Sequence, residues 1–189
     1  LNADIHQSMF TFHSLNFADD DIPTTSVRSL FTDSDNNIWM GIGTYGLACL
    51  EYATGKLKSH SQMPEFTGMT IPTVFSVVQR KGSGEIWFGT YDGGIFAYHK
   101  GQRVRNLTPE NCKFLGSSCV SALYEDKYAN CWVGTRGSLG VQLADGNSFL
   151  FENMSFVDGA QLNWFYVRDI IADSDNSMWI ATSNYGLIH

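Results

Sequence analysis

The sequence predicts an all-β chain, a β-propeller built from four-stranded antiparallel blades, on three observations. First, Trp39, Trp87, Trp132 and Trp179 stand 48, 45 and 47 residues apart. Each closes the same phrase: Val27 to Trp39 (VRSLFTDSDNNIW), Phe75 to Trp87 (FSVVQRKGSGEIW), Val120 to Trp132 (VSALYEDKYANCW) and Val167 to Trp179 (VRDIIADSDNSMW), aligned without a gap. Second, apolar residues within each unit alternate with period two, and β-branched and aromatic residues fill the runs between Gly, Asn and Asp clusters. Third, a fixed period of about 45 residues marks a repeat architecture, and four short antiparallel strands of that total length make one propeller blade.

In the first unit the strands are expected at Val27 to Thr32, Ile38 to Ile42, Leu47 to Tyr52 and Lys56 to His60. Asp33 to Asn37, Gly43 to Gly46 and Ala53 to Gly55 divide them, and Gly101 and Gly146 precede the fourth strands of the next two units. The repeats are placed near 27–60, 75–107, 120–153 and 167–189, the last completed by a fourth-type strand at 8–14. Residues 1–189 thus read as one propeller segment, about four blades' worth, either a small closed ring or a fragment of a larger propeller. The four ladder Trp residues are expected to wedge between blades as structural core. The small residue two positions after each, Gly41, Gly89, Gly134 or Ala181, is expected to permit close approach of neighbouring strands.

Composition bounds the function. The chain is 43% hydrophobic and 14% aromatic, enough to fill a core, and carries a net charge of −7 with 12 Lys and Arg scattered singly. That pattern offers no electrostatic footprint for nucleic acid or an anionic membrane. No apolar run approaches the roughly 18 to 20 residues of a membrane helix, and direct membrane insertion by this segment is not expected. Leu1 opens no signal sequence, and the last repeat stops part-way through its third strand at His189. The chain is therefore read as a segment of a longer protein.

Several motifs weaken on inspection. Gly41-Ile42-Gly43-Thr44-Tyr45-Gly46 spells a dinucleotide fingerprint, but the residues that follow align with strands where a helix N-terminus would have to receive the pyrophosphate. No cofactor is expected. Asp33 to Asn37 and Asp173 to Ser177 begin like calcium loops, yet Ile38 and Met178 fill the sixth position, and Thr44 and Asn184 the twelfth, where Gly and a bidentate Glu are needed. Self-capping hairpin turns explain the same letters. His6, His13, His60, His99 and His189 form no ligand spacing, and His60, like His13, is expected to be a solvated outer-strand residue. Cys49 and Cys131 occupy repeat positions of small or apolar residues, whereas Cys112 and Cys119 share a linker in which pairing is left open. No catalytic set and no metal site are read from the sequence.

The phrase V-x-x-[ILV]-x-x-D-x-x-x-x-[IM]-W-[MFVI]-[GA]-T, followed by a glycine loop, resembles the propeller repeat of two-component regulators. That repeat is found in the extracytoplasmic sensor regions of hybrid histidine kinases of gut Bacteroidetes. The resemblance covers all but the first few residues. Lys81 departs from it at the turn Asp, Ile42 at the Thr, and unit three carries an extra residue before Gly140. The resemblance implies part of a periplasmic ligand-sensing propeller, not itself an enzyme. Such a segment would detect a glycan-derived oligosaccharide and signal, as a homodimer in the full protein, to a membrane-linked kinase outside this chain. Two other classes compete: a propeller lyase or hydrolase with a site at the channel mouth, similar to the streptogramin lyases, and a pure protein-interaction scaffold.

In a propeller the loops joining second to third strands, and the linkers leading into first strands, emerge together, and binding residues concentrate on such loops. The candidate ligand-binding residues are Tyr45, Tyr91, Asp92, Arg136, Asn184 and Tyr185 from the loops, with Trp164 and Arg168, and beside them Thr25 and Arg28, from the linkers. Aromatic faces with Arg, Asn and Asp suit a polar ring-shaped ligand. Trp164 serves as either a binding platform or a lid over the core.

Overall fold

The computed structural model describes residues 26–152 and 165–189. The strand expected at 8–14, with Thr25 and Trp164, lies outside them. Among the described residues fifteen strands form four antiparallel meanders. Blade 1 holds β1 (Val27–Thr32), β2 (Ile38–Ile42), β3 (Gly46–Leu50) and β4 (Leu57–Ser59). Blade 2 holds β5 (Val74–Gln79), β6 (Ile86–Thr90), β7 (Ile95–Tyr98) and β8 (Arg105–Leu107). Blade 3 holds β9 (Val120–Glu125), β10 (Cys131–Thr135), β11 (Leu139–Gln142) and β12 (Ser148–Phe151). Blade 4 shows β13 (Val167–Ala172), β14 (Met178–Thr182) and β15 (Leu187–Ile188). Each sheet runs in sequence order from its first strand outward, and the fold is a β-propeller segment.

Blade 2 corrects the ungapped alignment. In blade 1 Phe31 pairs with Trp39, but in blade 2 Val78 pairs with Trp87, one residue further from its Trp. Val74, not Phe75, therefore takes the place of Val27, and the turn at 80–85 holds one extra residue. Arg80 N donates to Glu85 O and Gly84 N to Arg80 O, where the shorter turn closes through Asn36 N to Asp33 O. The residue at the turn-Asp position is Arg80; Lys81 lies one residue beyond it.

That turn Asp is the partner of the ladder Trp. Asp33 Oδ1 accepts from the backbone N of Asp35 and Asn37, both at 2.9 Å, and its Oδ2 accepts Trp39 Nε1 at 2.8 Å. Asp126 does the same for Tyr128, Asn130 and Trp132, and Asp173 Oδ2 takes Trp179 Nε1 at 3.1 Å. The carboxylate thus ties the hairpin turn to the core, which is the work the calcium-like letters do. In blade 2 the indole of Trp87 turns to Glu85 Oε2 at 3.3 Å, and Arg80 is released for another use.

Burial opposes ionisation of Asp126, but the donors of Asn130, Trp132 and Tyr128 outweigh it and hold the carboxyl below its ordinary range. A depressed folded-state value gives stability that is present above the unfolded value and lost as pH falls through the folded one. Thermal melts are expected to show Asp126→Asn already weakened at neutral pH, with a smaller further loss than the parent as pH drops below about 4. A parent and variant that lose stability in parallel in acid would refute this.

The blades meet across glycines. A Cβ on Gly134 would overlap Val167 Cγ1 and lie 2.7 Å from Val167 Cβ, so β10 and β13 approach as only glycine allows. Gly134→Ala is expected to cost about 1–3 kcal/mol, as overpacking does, in urea denaturation; no change would mean that the seam is loose. Gly46, at φ +80, stands where a Cβ would strike the Ile71 carbonyl, so the linker into blade 2 passes directly over β3.

The linkers complete the core. Phe66, in the 3-10 turn Pro64–Phe66, stacks on Tyr98 with centroids 5.5 Å apart, and Phe114 lies parallel to Trp87 at 5.9 Å. Trp39 and Trp87 are each 2% exposed, whereas Trp132 and Trp179 are half-buried. The four are therefore unequal wedges, and Trp179 stacks on His189 at 4.2 Å. The third and fourth strands of blade 1 are shorter than expected, because Glu51 N to Lys56 O and Gly55 N to Glu51 O close a turn over 51–56.

His60 corrects another expectation. It opens the 3-10 turn His60–Gln62, sits half-buried edge-on to Phe66, and its Nδ1 lies 3.3 Å from Leu47 O. Burial lowers its pKa against that hydrogen bond. Cys49, Cys112, Cys119 and Cys131 are buried free thiols.

Candidate functional site

The loops after second strands and the segments leading into first strands are laced together at one edge of the blades. Gly43 N donates to Ser26 O, Tyr91 N to Thr73 O, Arg136 N to Cys119 O and Ser183 N to Tyr166 O, at 2.9–3.1 Å. These bonds join the loop to the leading segment within each blade, and an Arg136–Tyr166 bridge joins blade 3 to blade 4. A rigid ledge results, with side chains standing on ordered backbone.

The ledge gathers some candidates and disperses others. The Arg168 guanidinium lies 4.2 Å over the Tyr166 ring, and its Nε donates to Ser183 Oγ at 2.5 Å. The Tyr166 hydroxyl is 3.4 Å from Cys119 Sγ. Tyr91, 54% exposed, meets Phe75 edge-on at 5.8 Å. Arg136, Arg168 and Tyr91 therefore share one face with Tyr166 and Phe75, while Asp92 and Asn184 are exposed on neighbouring loops. Tyr45 and Tyr185 do not join them. Tyr45 packs on the Met40, Ile42 and Ala48 cluster of blade 1, and Tyr185 on the core between blades 3 and 4. Arg28 is exposed on β1, at the far end of the blade row.

Tyr166 is the residue the sequence reading missed. It stood in the aromatic run Trp164-Phe165-Tyr166, where only Trp164 drew notice. Burial first, then the Cys119 thiol and Tyr91, push its phenol up to about 12, against the pull of Arg168. At neutral pH it stays protonated and can donate a hydrogen bond beside a fixed guanidinium and an open aromatic ring. That set suits recognition of hydroxyl- or carboxylate-bearing rings.

Two concavities lie at the opposite edge, among the turns that the ladder Trp residues close. One, of about 600 Å3 between blades 1 and 2, is lined by Asp33, Asp35, Glu51 and Glu65 with Lys58 and Lys100. The other, of about 720 Å3 between blades 2 and 3, is lined by Arg80, Arg105 and Lys113 with Glu85. The equivalent grooves thus differ in charge, but both cationic Arg side chains are already paired with carboxylates. Among the described residues no three His, Cys, Asp or Glu side chains converge to hold a metal. Nor is any helix among them long and apolar enough to cross a membrane.

The family model described as two component regulator propeller matches residues 21–44. A comparison with the curated proteins gives no match. Among solved structures the chain resembles the extracellular domain described as that of a hybrid two component system of B. thetaiotaomicron, at 20% identity and TM-score 0.65, over 90% of this chain and 22% of that one. It also resembles PorZ, described as a surface component of the type-IX secretion system of Porphyromonas gingivalis, at 17% identity and TM-score 0.59, over 85% of this chain and 25% of that one. A streptogramin B lyase matches at 17% identity and TM-score 0.59, over 89% of this chain and 55% of the lyase. This chain spans a quarter or less of the first two, and what it shares with all three is the fold. The match to the two component regulator propeller model covers residues 21–44, and the phrase that runs through it to Trp39 has counterparts ending at Trp87, Trp132 and Trp179 in the other three blades.

Proposed function

We propose that the chain is part of the extracytoplasmic, periplasmic sensor propeller of a hybrid two-component regulator. In this reading it recognises a glycan-derived oligosaccharide on the ledge and passes the signal, as a homodimer, to a membrane-linked kinase in the rest of the protein. The observation that carries the reading is the cluster of Tyr91, Tyr166, Arg136 and Arg168 on hydrogen-bonded backbone, in a chain whose residues 21–44 match the regulator propeller model. The cluster offers an exposed ring for stacking, a phenol donor and guanidinium groups, a set for holding a ligand rather than turning it over. A stiff blade row moves as a body, so ligand contact would change how it sits against its neighbours.

A glycan array followed by calorimetry tests this. A charged or neutral oligosaccharide is expected to bind without being cleaved. Tyr91→Ala, Arg136→Ala or Asn184→Ala is expected to weaken it by roughly tenfold, the worth of one charge-assisted or stacking contact, with melting temperature unchanged. Cleavage of a bound glycan would favour the lyase or hydrolase class, and full-affinity binding by all three variants would place the site elsewhere.

A further inference from the structure

The first strand of every blade is interrupted at the same place. Val27 pairs with Ile42 and Ser29 with Gly41, Val74 with Thr90 and Ser76 with Gly89. In the same way Val120 pairs with Thr135 and Ala122 with Gly134, Val167 with Thr182 and Asp169 with Ala181. One residue of the first strand, Arg28, Phe75, Ser121 or Arg168, is left without an opposite number each time. A bulge of this kind re-aims a side chain and recurs beside functional sites. Here it falls two residues after the carbonyls of Thr73 and Tyr166 that fix the ledge, so the bulge is what turns these side chains onto it.

The four bulges carry different chemistry. Ser121 Oγ is occupied by Gly134 O at 3.2 Å and Val167 O at 2.5 Å, and Phe75 supports Tyr91 edge-on. Arg28 is exposed on β1. Arg168 is exposed too, yet it is held on two sides, by the Tyr166 ring 4.2 Å below its guanidinium and by Ser183 Oγ, which accepts its Nε at 2.5 Å. Neither hold neutralises it. Arg80 and Arg105 are paired with Glu125 and Glu85, but among the described residues no carboxylate lies within ion-pair distance of Arg168. Asp169, next along the strand, turns its Oδ1 to the amide of Ile170 at 2.9 Å. The terminal nitrogens of Arg168 therefore stand ordered, charged and open to solvent. A guanidinium fork matches the two oxygens of an oxyanion, and one already fixed in place loses little further side-chain freedom on gripping it.

We infer that the ledge selects an anionic oligosaccharide, with Arg168 gripping a ring-borne oxyanion, a uronate carboxylate or a sulfate, through its terminal nitrogens. Tyr166 and Ser183 are the positioning residues that hold the fork. The inference rests on the sensing reading above and narrows its ligand class.

Length-matched uronate-bearing, sulfated and neutral oligosaccharides on one array, with calorimetry of the hits at low and high salt, test it. The binders are expected to carry an oxyanion and to weaken as salt rises, and the uronate and sulfate arms tell which oxyanion the fork holds. Arg168→Ala is expected to weaken binding about tenfold or more, the worth of a charge-assisted pair. Arg168→Lys should lose nearly as much, because an ammonium does not reproduce the fork, and neither change should move the melting temperature. Ser183→Ala is expected to weaken binding about threefold in the parent and no further once Arg168 is Ala, the non-additivity of a residue that acts through Arg168. A neutral oligosaccharide as the best binder, binding indifferent to salt, or binding undiminished in Arg168→Ala would overturn this inference and leave the sensing reading standing. An array on which no oligosaccharide binds would overturn both.

Discussion

Trp87→Ala is expected to lower the free energy of unfolding by about 3–5 kcal/mol, the range for deleting a large buried aromatic. Trp87 is 2% exposed, stacks on Phe114 from the following linker, and carries the Arg80 guanidinium 4.5 Å over its ring. Its removal would open a void shared by blades 2 and 3, whose rigid strands cannot collapse into it. Trp179, at the same repeat position, is half-buried with His189 on its face, so Trp179→Ala should cost clearly less. Urea titration followed by far-UV circular dichroism measures both. Equal losses would show that the blade 4 position is as enclosed as the blade 2 one.

Arg80→Met should be comparably damaging, about 3–5 kcal/mol, because it strands a buried carboxylate. Arg80 Nε donates to Glu125 Oε2 at 2.7 Å and Nη1 to Gln142 Oε1 at 2.7 Å, with side-chain exposures of 11% and 3% for Arg80 and Glu125. Lys81 N adds a bond to Glu125 Oε1 at 2.8 Å. Arg80→Met with Glu125→Gln should recover most of the loss, since the neutral amide can still accept from Lys81 N. A single-variant cost under about 1 kcal/mol, the worth of a solvated pair, would show that this ion pair does not hold blades 2 and 3 together.

Arg80 also shows where sequence reading stops. Aligned by spacing alone, Lys81 stands opposite the turn Asp, and nothing local forbids it. The choice of Arg80 rests on Glu125, 45 residues away, and on the Trp87 ring, so it is decided between blades. Likewise the candidate binding residues were found by their loops, but Tyr45 and Tyr185 turned into apolar clusters. Their partners come from other strands, which no local pattern names. Tyr166 went unremarked because its importance lies in contacts with Cys119 and Arg168. Asp33, Asp126 and Asp173 each stand six residues before a ladder Trp, but turn capping alone explains an Asp there, and the bond to the indole appears only in the folded blade.

What the sequence by itself determined is the blade: its length, its four strands, its punctuation by Gly, Asn and Asp, and the small residue two positions after each Trp. Those are properties of alternation and turn geometry within some 45 residues, and they act before any blade meets another. What only the tertiary structure decided is how blades meet. The register of blade 2, the burial that separates Trp87 from Trp179, the residues gathered on the ledge, and the close approach at the Gly134 seam all depend on strands distant in sequence. Close packing is a property of both surfaces at once, and one chain segment specifies only its own side.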